Sequence, residues 1–383
     1  MTHTEAIDIY FADCVRSALT SQPAPDFPPA LADKTAELTQ RLDFHGIAFL
    51  LADNVQTFAD WPHDLLEVLQ EQARLQAVWE ADHSAVIARL VAALHSASFQ
   101  STIMKGTALA YSVYSDPATR RRGDTDILIE NCDRNQVRNV FNKCGFEPSG
   151  DQRALQEVWN CTTPSGFTHQ VDLHWAISSS FAISEAIERD HPRARTKHLP
   201  RLSRVASCTG AIDAFIQICI NRSGHAAFGY NAGSDKLMEG NRLIWAVDLH
   251  LLARDFSDQD WADLASIAER WGASRSVALG INFARKTLSF AVPPGIEARL
   301  KRPQLSNTIS DYYEAGSAHL HFKQDFASAK SMKAKTALVW DHAFPGREFL
   351  EQRYPDADGW PISILYARRL LDGAGRILLG RPR

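Results

Sequence analysis

Three aspartates stand where they could do chemistry together. Asp124 and Asp126 lie two apart in DTDILIE, and Asp172 lies in VDLHW. Side chains alternate across a β-strand, so Asp124 and Asp126 share one face while Ile127 and Ile129 take the other. The same alternation sets Val171, Leu173 and Trp175 against Asp172 and His174. Carboxylates held side by side repel one another unless something positive binds between them. Magnesium takes oxygen ligands, often one or two carboxylates plus substrate phosphates. If the two strands are neighbours, the three acids converge and suffice for two Mg2+ ions, with Mn2+ as the alternative. Such a pair, about 3.5–4 Å apart, clamps the attacking and leaving oxygens of an in-line displacement. An isolated Asp-x-Asp is more often a strand end with solvated acids, so the surroundings carry the reading.

Those surroundings suit phosphate. Lys105, Gly106 and Thr107 fall where a predicted strand passes into a helix. A glycine there lets backbone N–H groups approach phosphate oxygens, and a helix N-terminus favours negative charge. Lys105 offers a point charge and Thr107 a hydroxyl. Arg120, Arg121 and Arg122 lead directly into Gly123 and Asp124. Three adjacent arginines usually form a solvated face, but beside a triphosphate one of them would meet the charge that builds in the transition state. His174 shares a strand face with Asp172 and is expected to orient that acid or to touch substrate. There is no Walker A sequence, HExxH or GxSxG. His319 and His321 have no nearby Cys or His to complete a zinc set.

The elements that must position these residues are readable from periodicity. Residues 1–95 read as a helical region, with apolar residues three and four apart over 31–42 and 63–95 and a proline-rich connection at 22–30. An α+β unit follows over 96–200. It holds strands at 99–104, 124–130, 155–162 and 167–175, and a helix at 133–145 with Asp133 as N-cap and Gly145 as C-cap. Residues 201–383 turn helical again, near 209–222, 242–254, 259–271 and 275–290, with Pro293, Pro294, Gly295 and Pro303 as punctuation. The segment PISILYARRLLDGAGRILLG near the end reads as a basic amphipathic helix, better explained by packing on the body than by a membrane surface. The expected fold is therefore α+β, a small mixed-sheet core flanked by N- and C-terminal helical domains.

Composition narrows the class. The chain has 383 residues, 45% hydrophobic and 22% charged, with formal net charge −4. That balance argues against coating nucleic acid by bulk charge. Six scattered cysteines without a CxxC pair suit reduced thiols, and the first residues, MTHTEAIDIYFADC, lack an apolar signal segment. No apolar run approaches the ~20 residues of a membrane span. A cytoplasmic protein is expected.

MKGTALAYSVYSDPATRRRGDTDILI followed by VDLHW resembles an uncharacterised nucleotidyltransferase family within the DNA polymerase β-like superfamily. FHGIAFLL (44–51) and NRLIWAVDLHLLA (241–253) extend the likeness, which runs from about 40 to 255. Lys105 and Gly106 match the family's Lys-Gly, Arg120 its arginine, Asp124 and Asp126 its acid pair, and Asp172 its third acid. Thr107 stands where serine is common in the superfamily and keeps the hydroxyl. His45, His174, Arg242 and Asp248 also fall on matched positions. His45 is expected to be a hydrogen-bonded core histidine. A tie between the helical domain and the core is expected of Arg242 and Asp248, ahead of substrate contact by Arg242. The resemblance implies transfer of an NMP group from a nucleoside triphosphate to an acceptor, with release of pyrophosphate. Lys105, Gly106, Thr107, Arg120 and Gly123 would receive the phosphates. The acceptor is expected to be a small molecule or a peptide or protein side chain ahead of tRNA. Two other classes use the same residues: a γ-phosphotransferase, and a non-catalytic nucleotide-binding scaffold.

Overall fold

The computed structural model describes residues 3–20, 22–129, 132–150, 152–232, 235–237, 241–302, 308–315, 317–357 and 359–379. Glu130, Pro303 and Gly380, named above, lie outside the described residues.

Four helices open the chain: α1 (His3–Thr20), α2 (Thr35–His45), α3 (Ala48–Asp53) and the long α4 (His63–Ser96). Gly46 ends α2 at φ +70, a left-handed conformation that costs glycine nothing. A Cβ there would also stand 3.1 Å from the Arg242 guanidinium. The sheet follows: β1 (Thr102–Met104), β2 (Asp124–Leu128), β3 (Glu147–Ser149), β4 (Gln156–Thr162), β5 (Thr168–His174), β6 (Lys197–His198) and β7 (Ser207–Cys208). Its seven strands run in the order β3-β4-β5-β2-β1-β7-β6. The β2–β5 and β1–β7 pairs are parallel and the rest antiparallel, so the sheet is mixed. Between strands lie α5 (Lys105–Ser112), α6 (Arg134–Lys143) and α7 (Phe181–Glu188).

Local chemistry explains the central elements. Asp133 caps α6 by accepting from the backbone N–H groups of Asn135 and Gln136. The C-cap of α6 is Cys144, not the expected Gly145, which follows one position later at φ +82. β4 and β5 form a hairpin through Pro164, Ser165 and Gly166, as the turn residues predict. β3, β6 and β7 escaped the periodicity because two or three residues carry no usable alternation.

Beyond the sheet come α8 (Ala211–Phe228), the small hairpin β8 (Tyr230–Ala232) and β9 (Asp235–Leu237), α9 (Leu243–Ala253), α10 (Asp258–Trp271) and α11 (Ser274–Leu288). Shorter helices follow: α12 (Ile296–Leu300), α13 (Thr308–Glu314), α14 (Ala318–Ser328), α15 (Met332–Ala343) and α16 (Arg347–Arg353). The last is α17 (Ile362–Leu379), the predicted amphipathic helix. Its Leu365 is buried in a small core with Leu350 and Tyr354.

Two larger cores hold the body. One lies against the apolar face of the sheet, where Ile127, Val171 and Leu173 meet Val86, Ile87 and Leu90 of α4 and Val137 and Phe141 of α6. The other joins helices far apart in sequence, with Phe11 and Leu42 packed in one cluster with Ile244, Val247, Trp271 and Ile281. Each such fully buried large side chain is worth roughly 1.5–3 kcal/mol of transfer free energy. Both flanking helical regions are therefore anchored to one another as well as to the sheet. Among the described residues, no helix is long and apolar enough to cross a membrane.

Candidate active site

β2 and β5 are parallel neighbours, in the register Asp124 with Gln170, Asp126 with Asp172, and Leu128 with His174. The polar residues of both strands thus lie side by side on one face, as alternation requires. β1 pairs on the other side of β2, with Met104 opposite Asp126, so the next residue, Lys105, opens α5 beside that acid. On the far side of β5, Gln156 of β4 stands opposite His174.

Asp126 is the hub. Its Oδ1 accepts from Lys105 Nζ at 2.5 Å and from His174 Nε2 at 2.8 Å. Asp172 accepts from Gln156 Nε2 at 2.6 Å and from Gln170 Nε2 at 3.1 Å, one amide on each carboxylate oxygen. Oxygens of Asp126 and Asp172 and a ring nitrogen of His174 all lie within 4.8 Å of one another. Asp124 stands on the same face two residues back, outside that tight group of three.

The electrostatics are unbalanced. Burial works to raise the Asp126 pKa, but the Lys105 ammonium and the His174 hydrogen bond hold it down, at about 2. For Asp124, burial, then Asp126 and Asp172, outweigh the Lys105 ammonium and push the pKa up to about 7. Burial and Asp126 likewise raise Asp172. Lys105 stays firmly charged, its pKa raised by Asp126 against the effect of burial. One ammonium thus faces three carboxylates. A divalent cation fits this surplus of negative charge and its hard oxygen donors. His174 Nδ1 is buried with no partner, while its Nε2 orients Asp126 in the manner of an outer-shell histidine. Lys105 sits at φ +51, a conformation rare for a residue with a side chain and commonest at functional sites.

The other predicted residues divide. Gly106 joins Lys105 in lining a small pocket of about 40 Å3 that also touches Arg120, Gln217, Trp245 and Asp248. Gly123 is exposed, with open space where a Cβ would stand. Thr107 reaches the Asp124 backbone carbonyl at 3.3 Å and not the carboxylates. Its buried hydroxyl meets Thr125 Oγ1 at 3.0 Å, and Thr125 meets His83 at 2.8 Å, on the apolar side of the sheet. Arg120 turns away into a buried two-pronged pair with Asp248, Nε and Nη2 each at 2.8 Å. Tyr114 donates to the same carboxylate at 2.7 Å. Arg121 pairs with Asp43, and Arg122 with Glu80 at 2.6 Å. Arg242 Nε donates to the Phe44 carbonyl at 2.5 Å, which ties α9 to the α2–α3 junction. His45 is the expected core histidine, bonded to Asp8 at 2.8 Å and accepting from the Leu243 N–H at 3.2 Å.

Two residues around Asp172 escaped the sequence reading. Gln170 follows from the same alternation as Asp172 and was findable. Gln156 needed the strand pairing.

Residues 32–289 match the model of a family described as uncharacterised nucleotidyltransferase. The chain belongs to this nucleotidyltransferase family. The matched range runs from just before α2 to the end of α11 and contains the three aspartates, Lys105 and His174. No curated protein matches the chain. Among solved structures, an antigenic nucleotidyltransferase-like protein from Paracoccidioides brasiliensis is similar at 14% identity, over 58% of this chain and 94% of that one, with a TM-score of 0.32.

Proposed function

We propose that this chain is a Mg2+-dependent nucleotidyltransferase that moves an NMP group from a nucleoside triphosphate to an acceptor. The observation that carries this reading is the register of two parallel strands that sets Asp126 beside Asp172, with Asp124 on the same face and one ammonium against all three. Asp124, Asp126 and Asp172 would hold the divalent cations, Mg2+ or Mn2+. When bound, such ions neutralise phosphate charge and lower the pKa of an acceptor hydroxyl.

The side chains have separate tasks. Lys105, 2.5 Å from Asp126, stands where a phosphate bound at the acids comes within reach of its ammonium. The backbone of Gly106 at the start of α5 offers N–H groups to the β- and γ-phosphates. Gln156 and Gln170 hold the Asp172 carboxylate in place, where it can serve as the base. The acceptor oxygen attacks the α-phosphorus, its proton passes to Asp172, the bond from the α-phosphorus to the bridging oxygen breaks, and pyrophosphate leaves.

In this reading residues 96–200 are the catalytic unit, and the helical regions 1–95 and 201–383 wall the cleft. A net charge of −4 offers no bulk attraction to RNA, which favours a small or peptide acceptor. Six free cysteines support a reducing, cytoplasmic setting.

Parallel incubations with α-labelled and γ-labelled triphosphates, Mg2+ and a soluble extract test the reaction. Label carried to an acceptor from the α position alone, with pyrophosphate formed, is the expected result. Transfer from the γ position would make the chain a phosphotransferase. Mg2+-dependent triphosphate binding with no transfer of either label would make it a binding protein.

A further inference from the structure

Asn221 of α8 lines the small pocket that Lys105 and Gly106 border, yet takes no part in the contacts described above. α8 presents a polar row on that side. Gln217, Asn221 and His225 recur at four-residue spacing and so share one helix face. Gln217 and Asn221 line the pocket itself. His225, one turn on, is held below its usual pKa range by burial first and then by the charges of Arg242 and Lys105. The row therefore runs past the Lys105 ammonium.

The polar groups around the pocket are not equally available. Asp248 and Arg120 both border it but occupy each other. Arg120 donates to both Asp248 oxygens, and Tyr114 donates to one of them. Gln217 is 9% exposed, and its amide nitrogen is sealed from the pocket's space. Two groups remain. The Lys105 ammonium gives one N–H to Asp126, which leaves two of its three donors. Asn221 is half-buried, and its side-chain amide has no hydrogen-bond partner among the described residues.

Size selects the occupant. The pocket holds about 40 Å3. A single water needs roughly 10–15 Å3, so this space takes a compact group of about three or four heavy atoms. That is a phosphoryl group and not a nucleobase. An ammonium and an amide N–H are donors that phosphate oxygens accept from. Position agrees with size. Lys105 Nζ lies 2.5 Å from Asp126, so a run of phosphates that begins at the acids reaches the pocket past Lys105.

We infer that Asn221 is a triphosphate-binding residue: its carboxamide, with the Lys105 ammonium, holds the terminal phosphate and so selects nucleoside triphosphates over diphosphates. The identity of the ligand rests on the nucleotidyl-transfer reading, but the binding itself does not depend on turnover.

Calorimetric titration of the full chain in Mg2+ tests it. The probes are the α,β-methylene triphosphates of adenosine, guanosine, cytidine and uridine and the matching α,β-methylene diphosphates. The expected result is that the best-bound triphosphate binds about tenfold tighter, or more, than its diphosphate. Asn221→Asp sets a carboxylate against the phosphate. In that variant the gap closes to about twofold while diphosphate affinity holds. Asn221→Leu, of similar size, narrows the gap by about threefold or more and serves if the first variant fails to fold. The inference is overturned if the parent binds triphosphate and diphosphate equally, or if both variants keep the parent's gap. It is also overturned if the variants weaken the diphosphate as much as the triphosphate, because Asn221 would then serve the nucleoside or the fold. A parent that binds no triphosphate in Mg2+ would bring down the nucleotidyl-transfer reading as well. If the gap behaves as expected and α-label is never transferred, the transfer reading fails and the phosphate assignment stands.

Discussion

The acids on the sheet and the arginines just before them are near neighbours in sequence but opposites in electrostatics. Arg120, Arg121 and Arg122 each find a separate carboxylate: Asp248 on α9, Asp43 on α2 and Glu80 on α4. Asp124, Asp126 and Asp172 share a single ammonium among them. A region whose charges are matched one to one binds the protein to itself. A region left with excess charge in a half-buried place keeps binding capacity for something outside. The contrast separates architecture from site without any appeal to sequence motifs.

The strongest way to break the comparison is to remove charge on each side. Asp172→Asn should cut nucleotidyl transfer by roughly a thousandfold, about 4 kcal/mol of transition-state stabilisation. Its thermal melting should hold or rise, because a repelling charge beside Asp126 is gone. A clear fall in melting temperature with transfer intact would make the acid structural.

Arg120→Ala should do the reverse. It strands Asp248, 1% exposed, without its guanidinium. Breaking a buried pair from one side typically costs about 3–5 kcal/mol. Arg121→Ala, whose pair with Asp43 is more than a third exposed, should cost under about 1 kcal/mol. Denaturant unfolding of the two variants measures the difference, and equal losses would sink the view that burial sets the value of these ties.

The same crowding of the acids predicts a pH dependence. The Asp124 pKa lies at about 7 in the folded chain, above its ordinary value of 3.8. Between those two values the folded state holds a proton that the unfolded state has lost, so this group makes stability fall as pH rises from about 4 to 7. Asp124→Asn should remove that slope, and Mg2+ should flatten it in the parent protein. Unfolding curves at pH 4.5, 6 and 7.5 in a chelator and in Mg2+ would show it. A slope unchanged by the substitution would mean that Asp124 is not the group crowded by its neighbours.

The legible part of the site was the part governed by alternation. Asp124 with Asp126, and Asp172 with His174, read correctly as sharing a face of their own strand because a two-residue period needs no knowledge of the rest of the fold. α4, α6 and α8 through α11 were legible for the same kind of reason, a local period of 3.6. Thr107 was not. It is the third residue of α5, and whether its hydroxyl faces the carboxylates or Thr125 depends on how α5 lies against β2. The directions of the three arginines depended on Asp43, Glu80 and Asp248, acids 42 to 128 residues away that no local window contains. His174 was expected beside Asp172 and bonds Asp126 instead, a choice made across the strand pair.

The amino-acid sequence alone determined that an α+β unit would carry acids on the polar faces of two strands, since side-chain alternation is a property of the backbone itself. Only the tertiary structure decided that β2 and β5 run parallel in the register that sets Asp126 against Asp172. It also decided which cations would be consumed as ties and which one would stay with the acids. Those outcomes follow from long-range packing, where partners meet by the folding of distant segments and not by their spacing along the chain.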